Sequence, residues 1–139
     1  MSPLQQSLET LENQIWQSPN DASYLVQTCY SLRKKPLADF GVEDLRIMIG
    51  QNIGLKWLMP LAIQELQQNI LVEGHFHPGD LLQVVLSSEK SYWLEEPSNW
   101  NSVCTLFRQQ QALLNASDIN WGIKRVLIEA FATFEKYHA

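Results

Sequence analysis

Positive charge is scarce in this chain of 139 residues, where 10 lysines and arginines stand against 15 aspartates and glutamates, a formal net charge of −5. A nucleic-acid partner needs a basic face to neutralise phosphates, so that class of function is not expected. Long hydrophobic runs are missing as well. The longest stretches without a charged residue, Ala22–Leu32 and Pro97–Phe107, are 11 residues each, whereas a bilayer-spanning helix needs about 20 apolar residues. No membrane span is predicted. The opening MSPLQQSLETLE lacks both the basic and the apolar region of a secretory signal, so a cytoplasmic compartment is expected. Cysteine is reduced to Cys29 and Cys104, far apart and isolated, which points to buried thiols rather than a disulfide framework.

What the chain does have is apolar and aromatic mass. Hydrophobic residues make up 45% and aromatic residues 10%, with five tryptophans, which excludes a wholly disordered polymer. The length predicts one domain over 1–139. Its dominant period is helical. Leu4, Leu8, Leu11 and Ile15 form one stripe, predicting a first helix stopped at Ser18-Pro19-Asn20. Asn20 or Asp21 is the expected cap of a second, carrying Tyr24, Leu25, Cys29 and Leu32. A third starts near Val42 with Glu43 and Asp44 in its first turn. Gly54 and Pro60 make Leu55–Gln68 either a separate helix or a kinked continuation. Ile70–Pro78 reads as a connector, Pro78 as falling in the first turn of the next helix, and Asp80 as a carboxylate in that turn meeting the helix's free N–H groups. Tyr92 and Trp93 fall in a short polar segment ended by Pro97. Two further helices follow, one through Val103 and Leu114 with Gln109–Gln111 on an exposed face, the other from a Ser117 cap through Phe134. The expectation is an all-α, single-domain bundle of about six to eight helices.

Few constellations carry chemistry. His75 and His77 form an H-x-H pair near Glu73 and Asp80, but zinc needs three or four converging ligands, and the third histidine is the remote His138. No metal or other cofactor is expected. Neither cysteine sits among the charges that would make it a thiolate nucleophile. Gly50 and Gly54 lack the strand–loop–helix context of a phosphate loop and read as close packing or a bend. Adjacent acid pairs such as Glu43-Asp44 and Glu95-Glu96 point in different directions from a helix and make poor acid–base couples. No catalytic residue and no small-molecule substrate are predicted.

One composition shift stands out. Between Leu71 and Trp100 the acids Glu73, Asp80, Glu89, Glu95 and Glu96 face the single base Lys90, alongside Tyr92, Trp93 and Trp100. Acid with aromatic residues suits a steered, aromatic-anchored protein interface. A solvated segment with its aromatics turned inward fits these residues equally.

The stretch Asp44–Leu86 adds a resemblance. Leu45-Arg46 leading into Ile49-Gly50-Gln51, then Ile53-Gly54-Leu55, Pro60-Leu61-Ala62, and Gly74 followed by Phe76-His77-Pro78-Gly79-Asp80-Leu81-Leu82, resembles the immunity proteins of bacterial contact-dependent growth inhibition. It departs from that pattern at Ile70, where proline is frequent, and at His77, where tyrosine is. The resemblance implies a small cytoplasmic protein, without catalytic groups, that binds the C-terminal toxin domain delivered by a neighbouring cell. Many such toxins are nucleases with basic surfaces, which would suit the acidic chain. Under that reading the expected partner-binding residues are Glu89, Trp93, Glu95 and Glu96, with Asp39, Glu43 and Asp44 as a second patch, and Trp93 as the anchor. A helical adaptor for some other protein, or a small enzyme using His75, His77 or a cysteine, are the competing classes.

Overall fold

Gly54 and Gly79, each with a left-handed backbone, start the two helices around which the fold is organised. The computed structural model describes residues 2–20 and 23–138. Among the described residues eight α-helices follow one another: α1 (Leu8–Leu11), α2 (Tyr24–Leu32), α3 (Val42–Gly50), α4 (Leu55–Gln68), α5 (Asp80–Ser87), α6 (Lys90–Glu95), α7 (Pro97–Ala116) and α8 (Trp121–Phe134). Short 3-10 turns occupy Pro3–Gln5 and Leu37–Asp39. The described residues contain no strand, only an isolated bridge between Glu73 and Pro78, so the all-α expectation holds. None of these helices is long and apolar enough to cross a membrane.

The short α5 is central because five of its eight side chains are apolar. Leu81, Leu82, Val85 and Leu86 are all buried, and the helix packs between α3 and α8. Helix α3 also meets α2 and α4, while α7 meets α4, α6 and α8. Phe107 of α7 stacks on Phe131 of α8 at 3.9 Å between ring centres. Buried side chains from α1 to α8 join in one cluster.

Local chemistry explains the boundaries, and several differ from the periodic reading. The first stripe does not make one helix. Ser7 Oγ accepts from the Thr10 N–H and opens α1, which ends within four residues, before Asn13 turns the chain at φ +51°. Only Leu8 of that stripe is buried, and Ile15 is 79% exposed. Helix α2 is capped by Ser23, whose Oγ accepts from Val26 N–H, in place of Asn20; Asp21 lies outside the described residues. Pro78 stands before Gly79, the cap of α5, so it precedes the helix it was expected to open. Pro97 opens α7, where its missing N–H costs nothing, and Tyr92 and Trp93 belong to α6. Ser117 closes α7 by donating to Leu114 O, while Asn120 caps α8. Gln110 is not on an open face: it donates to Leu66 O and accepts from Ile70 N–H, tying the end of α4 to α7.

Candidate functional site

The expected acidic residues divide into two groups. Asp39, Glu89, Glu95 and Glu96 are exposed, and none has an ion-pair partner among the described residues. Glu43 and Asp44 are half-buried and engaged. Asp44 accepts from Gly41 N–H and from Lys35 Nζ, at 3.0 and 2.8 Å. Trp93 corrects the expectation of a surface anchor: it is 0% exposed. Its indole N–H donates to Ser88 Oγ, and its ring meets Tyr92 and Phe134 edge to face. A six-residue helix between two turns must bury something, and the largest apolar side chain of α6 is the one that fills the core. Trp100 and Tyr92 also turn inward, Trp100 donating to Phe134 O and Tyr92 accepting from Asn99. The acid–aromatic stretch is therefore an acidic edge above an aromatic interior.

A second cluster, joining α3 to the loop before α5, was not legible as a unit. Asp80 is 3% exposed, and its carboxylate accepts from Gly74 N–H at 2.7 Å, Phe76 N–H at 3.1 Å and His77 N–H at 3.4 Å. It thus gathers the N–H groups of the preceding loop rather than those of its own helix. Glu43 accepts from His75 N–H at 2.9 Å and from Arg46 Nε at 2.6 Å, with Arg46 Nη2 on its other oxygen. Arg46 reaches towards Asp80 at 3.8 Å, and its guanidinium lies 4.0 Å from the Phe76 ring centre. The forked contact to Arg46 holds the Glu43 carboxyl below its ordinary range, helped by the His75 N–H and opposed by burial. Gly74 is required here by close approach: a Cβ would stand 2.6 Å from Glu43 Oε1 and 3.0 Å from Asp80 Oδ2. The only hint in the sequence is that a glycine, two histidines and an acid crowd one short connector.

This anchored loop forms one wall of an open groove of about 460 Å³. Tyr24 and Leu25 come from α2, Arg46, Ile47 and Gly50 from α3, and Phe76 from the loop. Tyr24 is 81% exposed and Phe76 71%, although both are large and apolar-bodied. The sequence puts Tyr24 and Leu25 on one apolar helix with Cys29 and Leu32, and helical spacing cannot tell a core face from a groove wall.

The enzyme-like candidates are not brought together. His75 is exposed near Glu43, and the His77 ring lies 2.9 Å from its neighbour's Pro78 O. His138 reaches Trp93 O, 2.7 Å away, beside the Trp100 ring. No group of three or more metal-ligating side chains converges among the described residues. Cys29 and Cys104 are buried and unpaired, and burial pushes both thiols up, away from the thiolate a nucleophile needs.

Comparison with curated proteins and with solved structures gives no match. A family model does match: that of the CDI immunity proteins, over residues 10–103. The matched segment runs from α1 into α7 and includes both walls of the groove and the carboxylate-anchored loop. That is more than half of the chain, and the chain belongs to the family of CDI immunity proteins.

Proposed function

We propose that this protein acts in the cytoplasm by binding the C-terminal toxin domain of a contact-dependent growth inhibition effector, and that this toxin is basic, as a nuclease is. Family membership supports toxin neutralisation in general and disfavours an adaptor unrelated to toxins. The observation that carries the finer reading is the division of charge. Six of the cations, Arg33, Lys34, Lys35, Arg46, Arg108 and Arg125, are engaged with acids of the same chain. Asp39, Glu89, Glu95 and Glu96 remain exposed, with no such partner among the described residues. Uncompensated acids favour encounter with a basic surface and raise the association rate. No catalytic group is needed for this role, because occupancy of the toxin is the whole effect. Protection requires nearly complete occupancy, which corresponds to a nanomolar or tighter Kd, about −12 kcal/mol.

Mixing the purified chain with the toxin domain encoded beside its gene tests this. A one-to-one complex of that affinity, forming more slowly as salt rises, is the expected result. Failure to form a complex with that domain would overturn the reading.

A further inference from the structure

Ten large apolar side chains are exposed among the described residues. Three of them, Tyr24, Leu25 and Val26, are consecutive in the first turn of α2, and Phe76 faces the same groove as Tyr24 and Leu25. Exposed apolar surface gathered around a concavity marks an interaction site, whereas single exposed residues do not. The walls are held in place before any partner arrives. Asp80 fixes the Phe76 backbone, Glu43 fixes that of His75, and the Arg46 guanidinium underlies the Phe76 ring.

The charge around the groove selects what can enter. Arg46, the cation in its wall, is occupied by Glu43 and Asp80, and its face is covered by Phe76. Two exposed acids without ion-pair partners among the described residues, Glu73 and Glu89, are tied to segments that line it, though neither is itself in the wall. Glu73 lies two residues before His75. Glu89 donates its N–H to Asn52, next to Gln51 on the groove's edge. A space of about 460 Å³ admits one or two side chains rather than a whole element.

We propose that this groove seats an apolar or aromatic side chain of the toxin domain, flanked there by lysine or arginine, with Tyr24 and Phe76 as this protein's contact residues. The proposal rests on the neutralisation reading above. It moves the aromatic contribution from the buried Trp93 to a surface that already displays its rings, and it leaves Glu89 at the junction between groove and acidic edge.

The test uses the full chain and the toxin domain encoded beside its gene, with Tyr24→Ser, Phe76→Ser, Glu73→Lys and Trp121→Ser compared by binding kinetics. Circular dichroism and thermal midpoints confirm that each variant is folded. Tyr24 is almost wholly exposed, so its replacement leaves the interior untouched even if Phe76→Ser loosens Arg46. Tyr24→Ser and Phe76→Ser should each weaken binding about thirtyfold or more, as central interface aromatics do. Glu73→Lys should slow association, and Trp121→Ser, exposed on α8 outside the groove, should bind as the wild type does. A tight wild-type complex indifferent to both Tyr24→Ser and Phe76→Ser overturns the groove assignment alone. So does wild-type self-association abolished by those two changes, which would make a second copy the occupant. No wild-type complex at all overturns the neutralisation reading and this proposal with it.

Discussion

Gly50 and Gly54 look equivalent as a spaced pair, yet their surroundings differ. A Cβ on Gly50 would meet Val84 Cγ1 at 3.5 Å, an ordinary contact, so of the two glycines read as close packing or a bend, this one leaves room for a methyl group. Gly54 has φ +67°, and its Cβ would stand 2.7 Å from Leu8 Cδ1 in the core. Gly54→Ala should therefore lower stability by about 1–3 kcal/mol, from left-handed strain and overpacking together. Gly50→Ala should be neutral or slightly stabilising, since alanine is the better helix former. Paired denaturant titrations check both. At Glu43 the native carboxyl titrates below its ordinary range, so its contribution to stability is present above about pH 4 and is lost as pH falls through the lowered value. Glu43→Gln should accordingly have a lower thermal midpoint than the wild type at pH 7. The gap should narrow as both are taken towards pH 3.

Between α1 and α2 the chain leaves regular structure over residues 14–19, and one side chain holds it. Arg33, at the end of α2, is almost completely buried; Nη2 donates to Gln14 O at 2.8 Å and pairs with Glu12 at 3.1 Å. Its plane lies 4.4 Å from the Trp16 ring centre. Its Nε has no hydrogen-bond partner among the described residues, so the site depends on the fork and the stack. Lysine offers one point charge and no plane. Arg33→Lys should cost about 1–3 kcal/mol, because the Gln14 carbonyl, Glu12 and the Trp16 face lose a buried planar partner. Limited proteolysis should then cut within residues 12–20 faster than in the wild type, while α4 and α5 stay protected.

Across the whole molecule, burial and charge are arranged separately. Four aromatic rings of the C-terminal part, Trp93, Phe107, Phe131 and Phe134, are interior, whereas Trp121 is exposed. Glu95 and Glu96 lie outside them on the surface. Reversing both to lysine should leave the stability within about 0.5 kcal/mol of the wild type, as exposed substitutions do. Association with the toxin domain should slow by roughly tenfold at low salt and converge with the wild type at high salt. Stopped-flow rates over a salt series measure this. An unchanged rate would remove these two residues from the steering surface.

The sequence by itself determined the helical class, the bounds of Leu55–Gln68, the connector before α5 and the family resemblance, while it put the start of α2 two to three residues early. Those depend on local signals: apolar spacing, glycine and proline punctuation, and an ordered set of short motifs. Only the tertiary structure decided that Ile15 faces solvent and Trp93 the core, because apolarity states a preference for burial without saying where a surface exists to bury against. It also decided that Asp80 serves the loop of Gly74, Phe76 and His77 and that Tyr24 and Phe76 share a groove. Those contacts join α2, α3 and the loop before α5, elements separated along the chain, and a period of 3.6 residues carries no information about which of them meet.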